Sequence, residues 1–413
     1  MPKIRNIYLL LFSLYWAQGL PVGFMTHALP VILRAQGVSL AHIGGFGLLM
    51  LPWSIKIFWA PWIDCFGHSA FGHYRSWIIP TQFLSILTLI ILSFLPIETL
   101  NEPKYLLAFF VVLLSLNLVG ATQDIATDGL AVNLLKNEQQ HWGNTFQVMG
   151  SRLGFIVGGG AVLWALDGLN WQTTFLILAG LVFLNTLPIL CFKEPAHERI
   201  QQKSDQETFS WNKVKHYLAY FYSTPNLMLW LLVLSSFKIA DGLAGPLLKP
   251  FMVDLGLTFA QIGIYVTMLG ALAALMGAGV AGLILKYMSR GNALFIFSVL
   301  KIFSLMAYTW LAFQYEAHRP VHVGLIYGIN AAEEMISAML LVVMLTLVMH
   351  YSRKHLAGTD FTFQVALMAT VSGGLYSLSG ILGDMFGYAT YLSAITLIAV
   401  GCLLPLLKWK NTM

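Results

Sequence analysis

Two carboxylates, Asp124 and Asp128, lie inside an apolar run of this chain, within Gly120-Ala-Thr-Gln-Asp-Ile-Ala-Thr-Asp-Gly129. Their i,i+4 spacing places them on one face of a helix. Arg152 lies inside the next apolar run, in Gly150-Ser-Arg-Leu-Gly154, which must fold back beside the first. A lone charge in hydrocarbon costs about 3 kcal/mol on insertion scales. Acids and a base at such depth are therefore expected to face a bundle interior or a wet crevice, and to meet each other. Burial favours the protonated carboxyl and a nearby cation favours the carboxylate. A cation that moves would thus load and unload a proton on Asp124 or Asp128. A permanent ion pair that orients two helices is the alternative, and Arg152 could instead grip an anionic solute through its planar fork.

Other polar groups inside apolar runs extend this set. Lys56 sits in Leu51-Pro-Trp-Ser-Ile-Lys-Ile-Phe-Trp-Ala-Pro-Trp-Ile-Asp64, where two prolines must bend a helix. It either touches a solute or snorkels to the interface along its aliphatic stem. Lys238 and Asp241, spaced i,i+3, can neutralise one another, and Lys301 has no partner legible in sequence. Glu333 and Glu334 are adjacent, so at most one faces a central cavity. Glu334 is taken here as a third proton-coupling candidate beside Asp124 and Asp128. Arg152, Lys56, Gln123, Lys238, Asp241, Gln147 and Gln364 are assigned to solute binding, and Asp64 and Arg75 to gating. The histidines, among them His27, His42, His68 and His73, fall in no metal-ligand spacing, and the three cysteines lie far apart. Neither a metal nor any other cofactor is expected.

The elements that carry these residues follow from composition. At 58% hydrophobic and 10% charged, the chain departs far from soluble proteins. Apolar runs of bilayer-crossing length recur without strand-like alternation, which predicts an all-α integral membrane protein. Twelve spans are expected, at 7–33, 40–64, 76–96, 104–135, 141–165 and 172–193, then 225–250, 257–286, 292–314, 321–350, 358–383 and 386–408. The first follows Lys3 and Arg5 as a signal peptide would, but it is too long and lacks a cleavage site, so its retention is expected. With the N-terminus inside, 15 of the 23 Lys and Arg residues fall on the cytoplasmic side and 4 on the other, which predicts cytoplasmic termini. Residues 194–224 form the one long polar stretch, read as a cytoplasmic linker with an interfacial helix around Trp211–Tyr222. It separates bundles over 1–193 and 225–413.

The two halves repeat. Gly37-Val-Ser-Leu-Ala-His-Ile-Gly44 matches Gly256-Leu-Thr-Phe-Ala-Gln-Ile-Gly263, and Thr145-Phe-Gln-Val148 matches Thr362-Phe-Gln-Val365. Ala17-Gln-Gly-Leu20 echoes Ala240-Asp-Gly-Leu243, and Asp167 matches Asp384. Parallel repeats of six spans resemble the major facilitator superfamily, which implies two pseudo-repeated six-helix bundles with a solute site between them near mid-membrane. In that superfamily the loop after the second span carries a Gly-x-x-x-Asp-Arg-x-Gly-Arg-Arg pattern that latches the outward-open state. Here Asp64 and a later Arg75 remain without the arginine run, so a weakened latch is expected.

Four stretches resemble the AmpG branch of that superfamily: Gly19-Leu-Pro21, Lys56-Ile-Phe-Trp-Ala-Pro-Trp-Ile-Asp64, Gln123-Asp-Ile-Ala-Thr-Asp128, and Gly150-Ser-Arg-Leu-Gly154 with Gly158-Gly. Members include anhydromuropeptide permeases, endomembrane acetyl-CoA transporters and the siderophore-importing RhtX/FptX family. Anhydromuropeptide permeases often carry two further spans, for which this chain has no room, and the lumenal insertions of acetyl-CoA transporters are absent. Ala357-Gly-Thr-Asp-Phe-Thr-Phe-Gln364, with the acid pair Glu333 and Glu334 in the tenth span, is more similar to the siderophore importers. The resemblance therefore implies a bacterial inner-membrane permease importing an anionic organic solute, a siderophore, by proton-coupled alternating access. An anhydromuropeptide is the alternative solute, and acetyl-CoA or a lysophospholipid a more distant one. The expected partners are the solute, protons and the bilayer, with no nucleic acid, for a monomer. No nucleophile–base constellation or ATP-binding Gly-x-x-x-x-Gly-Lys-Ser/Thr loop occurs, so no enzyme activity is expected.

Overall fold

The computed structural model describes residues 4–36, 38, 46–67, 71–95, 102–195, 219–223, 225–258 and 261–412. Among these the chain is helical, with no strand. In chain order the helices are α1 (Ile4–Leu33), α2 (Leu51–Ile55), α3 (Ala60–Cys65), α4 (Arg75–Ser93), α5 (Pro103–Leu134), α6 (Gln140–Leu166) and α7 (Trp171–Cys191). There follow α8 (Pro225–Asp254), α9 (Ile262–Tyr287), α10 (Arg290–Glu316), α11 (Val323–His350), α12 (Ala357–Phe386) and α13 (Tyr388–Lys410). Ten of them are long and apolar enough to cross a membrane. The broken segment α2–α3 and the 30-residue α12 complete the twelve expected spans.

The break in the second span has the expected cause. Pro52 and Pro61 each stand in the first turn of a short helix, where their missing N–H costs least. Between these helices Lys56–Phe58 form a 3₁₀ turn. The expected linker and interfacial helix fall largely outside the described residues; the described part is a 3₁₀ turn at Tyr220–Tyr222.

The chain divides into two units. Unit 1 comprises Met1–Phe209 with Met349–Phe363, and unit 2 comprises Ser210–Val348 with Gln364–Met413. In unit 1 the tightest crossing joins α1 to α6. Gly19 and Gly23 on α1 meet Gly154 on α6, while Gly150 and Gly158 of α6 lie against the α1 backbone at Phe12 and Leu20. A Cβ built at Gly19 would stand 2.6 Å from the Ser151 carbonyl oxygen, and one at Gly154 would stand 2.5 Å from the Gly19 Cα. Such repeats of small residues every fourth position let helix backbones touch where no hydrophobic effect drives association. Unit 2 has the same device: a Cβ at Gly242 on α8 would stand 2.8 Å from the Ser372 carbonyl oxygen on α12. Each unit closes around its own apolar core. Phe24, Phe109 and Phe175 anchor one, and Phe251, Tyr308 and Leu392 the other.

Candidate functional site

The close α1–α6 crossing brings polar side chains of α1 and α6 against the C-terminal third of α5. Asp128, 1% exposed, accepts from the Tyr15 hydroxyl at 2.6 Å and from Gln147 Nε2 at 3.2 Å. One turn earlier, Asp124 pairs with Lys56. Gln18 Nε2 donates to the Thr127 hydroxyl at 3.3 Å, tying the same face of α1 to α5. The 3₁₀ turn at Lys56–Phe58 directs the ammonium inward: Lys56 is 2% exposed and lies 5.4 Å from the Trp53 ring centroid. Trp53 is itself fixed by donating its indole N–H to Asn117 Oδ1 at 2.9 Å. Lys56 therefore does not snorkel.

Two sequence expectations change here. Lys56, not Arg152, is the cation on Asp124; the Arg152 guanidinium lies 6.0 Å from the Phe155 ring centroid. Lys56 stands in the 3₁₀ turn between the two proline-led helices of the second span, and from there it reaches Asp124 on α5. Tyr15 enters as a partner that charge-based reading overlooked, although Tyr15 and Gln18 share one helical face at i,i+3. Polar atoms remain open in this region: Gln147 Oε1, Gln123 Nε2 and the Trp16 indole nitrogen are buried without a partner among the described residues.

Asp64 and Arg75 do not meet. Asp64 accepts the backbone N–H groups of Gly358 at 3.0 Å and Thr359 at 2.6 Å, and the Tyr74 hydroxyl at 2.7 Å. It thus sits on the N-terminus of α12, where orphan amide donors and the helix dipole favour an anion. Burial, followed by the adjacent Asp64 carboxylate, pushes the Tyr74 phenol well above its usual range, so it remains a donor. Arg75 instead caps the end of α7, donating to the carbonyls of Ile189 at 3.1 Å and Leu190 at 2.8 Å.

Unit 2 holds a second charged cluster. Lys238 reaches Asp241 at 3.0 Å as expected, and Lys301 reaches the other Asp241 oxygen at 3.0 Å. Lys301 also pairs with Glu333 and bonds the Ser337 hydroxyl at 2.6 Å. Glu333, rather than Glu334, is the acid drawn into this cluster, and it supplies the partner that Lys301 lacked in sequence. Glu334 lies beside Gly270 on α9. Gln364 departs from its assigned role: it is fully buried, takes the Trp230 indole N–H at 2.6 Å and donates to the Val348 carbonyl at 3.1 Å. Both ends of its amide are engaged within unit 2. Among the described residues no three His, Cys, Asp or Glu side chains gather in a way that could hold a metal ion.

Comparison with known proteins places this architecture. Residues 6–169 match the family described as acetyl-coenzyme A transporter 1. The putative transporter AmpG 4 of Rickettsia conorii is 26% identical across 97% of this chain and 96% of its own. The anhydromuropeptide permease of Escherichia coli K12 is 27% identical across 98% of this chain and 80% of its own. Among solved structures, the proton:xylose symporter XylE superposes with a TM-score of 0.72 at 12% identity, covering 98% of this chain and 95% of that one. The chain has the major facilitator fold, and its homologues over nearly its whole length are transporters of the AmpG type.

Proposed function

We propose that the chain is a proton-coupled inner-membrane permease that imports an anhydromuropeptide-like cell-wall fragment by alternating access, with both termini in the cytoplasm. The observation that carries the coupling is the charge count of the first cluster. Among the described residues it holds two carboxylates, Asp124 and Asp128, against Lys56, and the side chains that donate to Asp128 are the neutral Tyr15 and Gln147. One proton on Asp128 brings the cluster to neutrality, and its release restores an anion facing Tyr15 and Gln147. That difference is what a transport cycle needs to bias one conformation over another. Asp124, already matched by Lys56, holds the lysine in place. Glu334 is retained as an additional acid for the same task.

The solute assignment follows the relatives. An anhydromuropeptide permease is 27% identical across 98% of this chain, which supports that solute although this chain has no room for the two further spans such permeases often carry. The siderophore reading rested on the segment 357–364 with the acid pair Glu333 and Glu334. In the structure Asp64 takes the Gly358 and Thr359 amides, Gln364 is spent on Trp230 and Val348, and Asp360 takes the Arg353 side chain at 2.7 Å. These residues are occupied in holding the fold and give no support to a siderophore. Arg152, with the open polar atoms of Gln147 and Trp16, suits a carboxylate-bearing sugar–peptide flanked by the aromatic face of Phe12 and Phe146.

The test is uptake into proteoliposomes under an imposed inward proton gradient. Radiolabelled anhydromuropeptide, a ferric siderophore and acetyl-CoA are offered in parallel. The expected result is gradient-dependent accumulation of the first alone. Asp128→Asn is expected to retain exchange of pre-loaded solute and to lose accumulation against a gradient. Siderophore uptake without anhydromuropeptide uptake, or accumulation indifferent to the gradient, would overturn the proposal.

A further inference from the structure

A cavity of about 10 Å³ lies inside unit 1, walled by Gln18 and Met25 of α1, Trp53 of α2, Ser85 of α4, and Asn117 and Gln123 of α5. That is room for one water molecule. We infer that the cavity is a binding site for a single ordered water, held by the Gln123 side-chain amide, which ties four elements of unit 1 together.

The Gln123 amide is the first ground for this. Its Nε2 is buried without a partner among the described residues, and the residue is 2% exposed. Buried donors reach a protein group or an ordered water in the large majority of cases, because an unmade bond leaves their desolvation uncompensated. The neighbouring amides are already committed. Asn117 Oδ1 accepts the Trp53 indole N–H at 2.9 Å, Asn117 Nδ2 donates to the Leu113 carbonyl at 3.3 Å, and Gln18 Nε2 donates to the Thr127 hydroxyl at 3.3 Å. The second ground is the lining. Gln18, Ser85, Asn117 and Gln123 are all buried polar side chains, drawn from three helices. Apolar cavities stay dry, whereas a polar one of this size holds a water that makes about three hydrogen bonds. Water also suits the amide whichever end it presents, since it both donates and accepts. The third ground is Gly120, which walls the same cavity one turn before Asp124. A Cβ built there would meet nothing nearer than Trp53 Cζ2 at 3.7 Å, so the absent side chain leaves the room that the water takes. Trp53 belongs to both sites: its ring walls the cavity and lies 5.4 Å from the Lys56 ammonium. The water thus braces, from α1, α4 and α5, the ring against which the cation of the Lys56–Asp124 pair lies.

Radiolytic hydroxyl-radical footprinting of the full-length protein, read by mass spectrometry, tests this, because radicals born from a bound water oxidise the side chains beside it. Met25 walls the cavity and is 5% exposed; Met339 is equally exposed, lies in unit 2 and serves as the matched control. In wild type Met25 is expected to oxidise severalfold faster than Met339. Gly120→Ala puts a methyl into the cavity with no contact shorter than 3.7 Å, and Gln123→Met removes the amide at nearly constant size. Each should bring Met25 down to the rate of Met339. Thermal unfolding adds a test by sign. With a water on Gln123, Gln123→Met lowers the melting temperature; an amide without any partner would be relieved by the change, and the melting temperature would rise. Three results would each overturn the inference: Met25 oxidised no faster than Met339 in wild type, an excess that survives in both variants, or a raised melting temperature for Gln123→Met.

Discussion

Removing Lys301 tests whether the unit 2 cluster is a balanced structural element. Its Nζ touches Asp241 at 3.0 Å and also pairs with Glu333, and both the lysine and the glutamate side chains are 11% exposed. At 3.0 Å one such pair attracts by roughly 5 kcal/mol with an effective dielectric near 20, most of it offset by desolvation. Lys301→Met cancels the attraction and keeps the cost, leaving two carboxylates facing Lys238 alone. A loss of about 3–5 kcal/mol is expected, the range for removing one partner of a buried pair. Lys301→Met combined with Glu333→Met removes the excess acid and leaves the matched Lys238–Asp241 pair. The double variant is therefore expected to be more stable than the lysine variant alone, with a coupling energy of about 2–3 kcal/mol. Thermal unfolding in one detergent, with Glu333→Met completing the cycle, reads this directly. Additive single effects, or a Lys301→Met protein as stable as wild type, would refute the reasoning.

Other expectations follow from the same geometry. Gly154→Val drives a side chain into the Gly19 backbone and should abolish monodisperse protein, whereas Gly160→Ala, with nothing within 4 Å of the new carbon, should purify normally. Tyr15→Phe removes the 2.6 Å donor to Asp128 and should weaken gradient-driven uptake about tenfold or more, the counterpart of losing a charge-assisted hydrogen bond worth about 1.5–3 kcal/mol; unchanged uptake would remove Tyr15 from the coupling scheme. Trp230→Phe leaves Gln364 Oε1 without its indole and should cost about 1–3 kcal/mol in the same unfolding assay, with solute affinity unaltered. Asp64→Ala strips the first amides of α12 of their acceptor and should destabilise unit 1 by about 1–3 kcal/mol, while Asp64→Asn, which keeps one acceptor oxygen, should cost less.

What could be read in the sequence, and what could not, divides along the internal repeat. Periodicity and repetition led to helices, their number and the major facilitator fold, because these depend on features shared by both halves. Gly19 faces the Ser151 carbonyl and Gly242 faces that of Ser372, so one crossing is built twice from the same residue types. The charged clusters depend on where the halves differ. Aligning Ala17-Gln-Gly-Leu20 with Ala240-Asp-Gly-Leu243 puts Lys238 at the place of Tyr15 and Asp241 at that of Gln18. The same helix face thus carries each cluster. Tyr15 and Gln18 reach Asp128 and Thr127 on α5, whereas Lys238 and Asp241 form a pair that recruits Lys301 from α10. Partners set by tertiary approach, such as Lys56 on Asp124 or Glu333 on Lys301, carry no local spacing, so no reading along the chain could pair them. The contrast bears on mechanism. Among the described residues, the unit 2 cluster matches two lysines with two acids, whereas the first cluster sets Lys56 against Asp124 and Asp128, and the proposal that Asp128 carries the proton rests on that difference.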